Sequence, residues 1–242
     1  MLVKTRGIFL GHVKYSDSSI IVHLFTEDFG KQSYIFSGSH GKRALTKFNV
    51  FQPMFLLELQ VYHRQNTSSL PRIKEARLAV PLLSMPFNIY KSTQSIFMAE
   101  LLSKVLHVEE ASNELFQFIF SSVELLDALE DSTSNFLLLF VFKLMRFLGI
   151  APHEKTDDRD CFFDLLHAMF VDKEPIHPHF LSKDDTERFT SLFQAEYFQM
   201  KHLGITSAQR RVLLDALVMY YRIHLEIEHD FKSLVVLREV MQ

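Results

Sequence analysis

The sequence predicts an α+β protein: an N-terminal five-stranded β-barrel followed by an all-α helical domain. Three observations lead there. The first 80 residues hold five short segments rich in Val, Ile, Leu, Phe and Tyr, most of them separated by glycine or polar breaks. After Pro81 the apolar residues recur at helical spacing instead. The charge changes sign at the same place. Residues 1–79 carry 11 Lys or Arg against 5 Asp or Glu, whereas residues 80–242 carry 15 against 24.

Strands are expected near residues 3–10, 19–25, 32–36, 54–63 and 72–80, with the alternation weakest at Phe55-Leu56-Leu57. Five strands in such a short basic stretch suit an OB fold, the commonest small barrel that binds nucleic acid. Pattern alone also fits an SH3-like barrel. The first helix is marked by Ile89, Ile96, Phe97, Leu101, Val105 and Leu106. Helices follow near 113–129 and 134–148, and Gly149 with Pro152 supplies a C-terminal stop. Three more are expected over 183–202, 207–227 and 233–240. Ser182 with Asp185 forms an N-cap arrangement, and Thr206 with Gln209 satisfies the capping box, in which hydroxyl and amide each take up the other's free backbone donor. The expected domains are therefore 1–80, the barrel, and 81–242, the helices, with an irregular segment at 151–180. The short join at 81–86 argues that the two parts pack together.

Of the 242 residues, 48% are hydrophobic, too many for a disordered chain. Cys161 is the single cysteine, so neither an intrachain disulfide nor a four-cysteine zinc site is available. A reducing cytoplasm fits. The first 15 residues contain no sustained apolar stretch, so no signal peptide is expected. The greasiest run, residues 136–142, stops at Lys143. It falls well short of the ~20 residues that span a bilayer.

A basic third on an acidic body points to a polyanion at the N-terminal part. The run Gly38-Ser39-His40-Gly41-Lys42-Arg43, with Lys47 four residues on, joins glycines that admit a phosphate to cations that neutralise it. Its spacing is not that of a P-loop. Taken alone, the run fits a solvated turn equally well. Aromatic residues lie among these charges, and single strands bind by backbone neutralisation plus base stacking. Phe36 and Phe51 belong in a barrel core, whereas Tyr15 and Tyr34, near Lys14 and Lys31, are the expected stacking residues. The expected nucleic-acid contacts are Lys14, Tyr15, Lys31, Tyr34, Lys42, Arg43, Lys47 and Arg64. Cys161, His167, His177 and His179 offer metal-type donors, but their spacing fits no zinc template. Asp157, Asp158 and Asp160 read as a solvated acidic loop, and no HExxH, GxSxG or Cys–His signature is present. A binding protein is expected, without catalytic residues, metal or cofactor.

Several short motifs occur in a specific order. Gly7-Ile8-Phe9-Leu10 leads to Tyr15-Ser16-Asp17-Ser18-Ser19, then to the apolar Ile20-Ile21-Val22-His23-Leu24-Phe25, then to the turn Thr26-Glu27-Asp28-Phe29-Gly30-Lys31. Gly38 opens the basic run, Phe51-Gln52-Pro53 enters the fourth strand, and Arg72-Ile73-Lys74-Glu75-Ala76 forms the fifth. This succession resembles the RecO family of bacterial recombination mediators over essentially the whole chain. The resemblance implies an OB-fold domain, a helical domain and a role in recombinational DNA repair. It further implies binding to single- and double-stranded DNA, annealing of complementary strands, and action with RecR to help RecA displace the single-stranded DNA-binding protein. The acidic, Phe-ended C-terminal tail of that protein is an implied partner, for which Lys143 and Arg146, beside Phe142 and Phe147, are the expected docking residues. Arg210, Arg211 and Arg222 are further helical positions suited to it. The implied location is the bacterial cytoplasm, at the nucleoid, with no membrane contact. Two departures stand out. Many relatives carry a four-cysteine zinc module where this chain has residues 151–180 and Cys161 alone, so no structural zinc is expected. The loop at 39–47 is also less basic than in many relatives. The alternative reading is another OB-fold protein that binds RNA or the ribosome; a metal-dependent nuclease is a third class.

Overall fold

A computed structural model describes residues 1–37, 48–62, 69–107, 111–130, 133–157, 159 and 161–240. The chain divides into two compact units, Met1–Ala128 and Leu129–Gln242. The switch from strand to helix falls at residues 79–88, inside the first unit.

The first unit is built on a closed barrel of order β1-β2-β3-β5-β4. Its strands are β1 (Leu2–Ser16), β2 (Ser19–Thr26), β3 (Gly30–Ser37), β4 (Leu56–Tyr62) and β5 (Arg72–Leu78). Neighbouring strands run antiparallel except β3 and β5, which meet in parallel at Ile35 and Arg72. This is the OB arrangement, a five-stranded partly open Greek-key barrel. β1 is long enough to pair with both β2 and β4, and a bulge between Phe9 and Gly11 bends it from one partner to the other. At Gly7, where β1 meets β4, a Cβ would lie 2.7 Å from Leu59 Cδ1, so a larger residue there would make the end of the Leu59 side chain move aside. Gly30 turns the chain into β3 at φ +64°.

Two helices, α1 (Ile89–Val105) and α2 (Asn113–Ala128), belong to the same unit. Phe116 of α2 lies 5.9 Å from Phe25 of β2, ring to ring. The Arg6 guanidinium of β1 sits over Phe116 and Phe120. The join between barrel and α1 is tied down by one carboxylate. Asp127 accepts the backbone N–H groups of Leu83, Ser84 and Met85 at 2.9, 2.8 and 2.6 Å. The Lys91 ammonium, 1% exposed, donates to Ser84 Oγ at 2.7 Å and to the Asp127 carbonyl at 2.8 Å. Burial works against the Asp127 carboxylate, but these amides and Lys91 outweigh it and hold its pKa below the ordinary value. Asn88 caps α1 by accepting from the N–H of Tyr90 and Lys91.

The second unit begins with α3 (Phe136–Phe147), whose apolar run is buried on nearly every side. Then come β6 (Phe162–Asp164), β7 (Met169–Val171) and β8 (Phe180–Leu181), a three-stranded sheet of order β7-β6-β8. This sheet lies in the segment that pattern alone reads as irregular. Strands of two and three residues are too short to show an alternation. Next are α4 (Lys183–Gln194), a 3₁₀ turn (Tyr197–His202), α5 (Ser207–His224) and α6 (Lys232–Val240). The helix expected over 183–202 therefore breaks after Gln194, where Ala195 turns extended and Glu196 opens a capping box with Gln199. Ser182 and Thr206 cap as expected, accepting from Asp185 N and Gln209 N. The core is aromatic: Phe163 stacks on Phe189 at 4.6 Å, and Phe142 meets Phe193 edge-on at 4.9 Å. Two buried tyrosines find carbonyls, Tyr220 at Ile150 O (2.7 Å) and Tyr221 at Val141 O (2.8 Å). No helix among the described residues is long and apolar enough to cross a membrane.

Candidate nucleic-acid interface

Register brings several barrel ends to one rim. Ser19 pairs with Ser37, so the β1–β2 turn lies beside the exit of β3. Ile35 pairs with Arg72, and Arg72 with Tyr62, so the exit of β4 and the start of β5 lie there too. Such loops around one barrel end are where OB folds hold oligonucleotides. Lys42, Arg43 and Lys47, between β3 and β4, and Arg64, between β4 and β5, lie outside the described residues. Their segments leave from this rim at Ser37 and Tyr62.

Lys14 and Tyr15 sit on the rim. The Lys14 side chain is 77% exposed, with Asp17 at 3.4 Å, and Tyr15 is 60% exposed. Val13, Ile21, Ile35 and Arg72 follow one another across β1, β2, β3 and β5 as directly paired residues, so they share one face of the sheet. Val13 is half exposed and Arg72 is exposed. Sequence reading passed over Arg72. Its cation opens the motif of the fifth strand, and the parallel pairing with β3 carries it to the rim.

Two expected contacts are corrected. Tyr34 is 0% exposed inside the barrel, paired with Val22, and offers no ring face to a base. Lys31 faces outward under α1, where its ammonium donates to the carbonyls of Ser103 and Leu106 (3.1 Å for the latter). Burial lowers its pKa, and its charge serves the free carbonyls at the end of α1, not a phosphate. A second concave region, a cleft of about 510 Å³ on the barrel between Lys4 and Arg77, is no rival seat for a polyanion. Its charges have both signs, and both of its arginines are engaged: Arg6 grips Glu27 at 2.8 and 2.6 Å, and Arg77 Nε meets Glu58 at 2.7 Å.

In the second unit, Lys143 is largely covered and donates to Glu196 at 3.1 Å. Phe142 is buried in the core beside Phe189 and Phe193, so it is not the apolar neighbour that a docked peptide would meet. Arg146 is exposed beside Phe147, itself 40% exposed. Arg222 reaches Asp230 at 2.9 Å. Half-buried Arg210 holds Asn135 Oδ1 and the Ile205 carbonyl. Arg211 is exposed on α5 and lines a small hollow together with Leu214 and Leu237.

A closed OB barrel with exposed cations and an exposed tyrosine at its loop rim, continued by helices, belongs to a class of architecture whose members bind oligonucleotides or oligosaccharides. Two family models match the chain: Recombination protein O N terminal over residues 1–81, and Recombination protein O C terminal over residues 86–234. The chain belongs to the RecO family. It is 35% identical over 240 residues to a DNA repair protein RecO of Azobacteroides pseudotrichonymphae, and 36% identical over 241 residues to that of Bacteroides fragilis. A DNA repair protein RecO of Flavobacterium psychrophilum is 31% identical over 242 residues. Each alignment covers 99% of both chains.

Proposed function

We propose that this protein is a recombination mediator in DNA repair that acts by binding rather than catalysis. The observation that carries the reading is the match of both RecO family models, end to end, to a chain whose first 80 residues form the OB barrel. In this reading the barrel rim holds the DNA backbone through Lys14, Arg72, Lys42, Arg43, Lys47 and Arg64, with Tyr15 stacking on a base. Complementary strands held this way anneal. With RecR the protein helps load RecA on DNA coated by the single-stranded DNA-binding protein. It works in the bacterial cytoplasm, at the nucleoid. The helical part takes the acidic tail of the coating protein. Exposed Arg211 supports that role, because it sets a cation beside Leu214 and Leu237, and a carboxylate with an apolar neighbour needs charge next to apolar surface. Arg146 beside Phe147 offers a second such place.

The deciding experiment is annealing of complementary DNA strands coated with the cognate single-stranded DNA-binding protein. Annealing accelerated by the full-length protein is expected. Preferential binding to RNA with no acceleration would replace this reading with that of an RNA-binding barrel.

A further inference from the structure

The small sheet of the second unit gathers three metal-type donors that come from three different pieces of chain. Asp164 ends β6, His167 lies in the tight turn to β7, and His177 lies in the loop before β8. The Asp164 carboxylate is the hub. Its Oδ1 accepts the backbone N–H of Leu166 (2.8 Å) and His167 (3.2 Å), which fixes the carboxylate in place. Its Oδ2 is approached by His167 Nδ1 at 2.7 Å and by His177 Nε2 at 3.2 Å. Among the described residues, these are the three His, Cys, Asp or Glu side chains whose donor atoms converge, all within 4.8 Å of one another. The Asp164 side chain is 7% exposed and that of His167 is 65% exposed, so the group has a buried base and an open mouth.

We propose that Asp164, His167 and His177 form a binding site for a zinc-type divalent cation. The donor set selects the ion. Two imidazoles and one carboxylate suit borderline metals such as zinc, and are too nitrogen-rich for magnesium or calcium. The spacing agrees. Ligands held about 2.0–2.2 Å from a tetrahedral zinc lie about 3.3 Å from one another, and the donors here, at 2.7 and 3.2 Å from Asp164 Oδ2 and all within 4.8 Å of one another, reach that spacing with small side-chain rotations. Three protein ligands leave the fourth position to water on the open side. Binding displaces the ring protons that now point at Oδ2. The His177 proton then sits on Nδ1, and the long contact from the His179 N–H (3.3 Å) is given up. Neither Cys161 nor His179 belongs to the converging set, and the Cys161 thiol donates instead to the Arg159 carbonyl. The absence of a cysteine quartet thus leaves a cation site of different chemistry standing. Its physical use is to clamp a sheet whose strands have only three, three and two residues, too few to hold their connecting loops by pairing alone.

The test uses the full-length protein, washed with chelator and titrated with zinc against a competing chromophoric chelator. One zinc per chain is expected, with a rise in melting temperature on loading. His167→Ala changes an exposed side chain and leaves the fold intact by circular dichroism. It should weaken zinc binding at least tenfold and abolish the thermal shift. His177→Ala should weaken binding similarly, and Cys161→Ser should bind like the original chain. Cobalt in place of zinc should give weak visible bands without a thiolate charge-transfer band. Failure of the unaltered protein to bind zinc, equal binding by His167→Ala, or a thiolate band would overturn the site.

Discussion

Tyr34 carries a buried hydroxyl that has no hydrogen-bond partner among the described residues, and burial pushes its pKa up. Such a group is desolvated without return, so deleting it removes a penalty. Tyr34→Phe is expected to leave DNA affinity unchanged and to hold or raise stability, by about 1 kcal/mol, in urea unfolding; a marked loss of affinity would put the ring back among the DNA contacts. Lys31 is the converse case. Its ammonium satisfies two carbonyls at the end of α1, so Lys31→Met should cost about 1–3 kcal/mol of stability while leaving the salt dependence of DNA binding as it was. Lys14→Glu with Arg72→Glu at the rim, and separately Lys42→Glu with Arg43→Glu in the basic run of the sequence, should weaken DNA binding without unfolding the chain. Each lost phosphate contact should flatten the salt dependence by about 0.7–0.9 log units per log unit of salt. A folded double variant with unchanged affinity and slope removes its pair from the interface.

Among the elements, the join from β5 to α1 depends most on one side chain. Asp127, near the end of α2, takes three backbone amides from residues 83–85, and Lys91 takes its carbonyl. Asp127→Ala strands those donors and should cost about 2 kcal/mol in chemical denaturation. The pH dependence follows from the lowered carboxylate pKa. A depressed folded pKa adds stability above the unfolded value, about 3.9, and loses it as the pH falls through the folded value below that. The stability advantage over Asp127→Asn should therefore be full at neutral pH and shrink from about pH 4 downward. A constant difference over that range would mean that the charge of Asp127 does not matter. The breaks in the second unit have equally local causes. Capping residues Glu196 and Gln199 start a new turn where the apolar period alone would run α4 onward.

For the whole molecule, charge divides as the architecture does: net positive through the barrel strands, net negative beyond. Like charges repel at short range, so the helices are a poor primary surface for DNA. Charge reversals at the barrel rim should reduce DNA affinity more than reversals at Arg146, Arg211 or Arg222. A fluorescent peptide with the sequence of the coating protein's tail should show the opposite order, with Arg211→Glu the most damaging. Rim variants that lose the peptide while the helical variants keep it would reverse the assignment.

The barrel, the helical remainder and the family were legible in the sequence because each rests on local pattern: strand-like segments with turn residues between them, a change of period after Pro81, and an ordered string of short motifs. The caps at Ser182 and Thr206 were legible for the same reason, since a cap is made within four residues. What tertiary structure alone decided is where each side chain points and what it meets. Lys31 and Lys14 look alike in sequence, yet one lies under α1 and the other stands at the rim. Tyr15 and Tyr34 each follow a polar residue, and strand register puts one outside and one in the core. Arg72 joins the rim only because β5 runs parallel to β3. Asp164 was invisible as a hub although His167, three residues on, was in plain view, because its partner His177 arrives from another loop. Burial and long-range pairing set these outcomes, and neither is written in the period of a single segment.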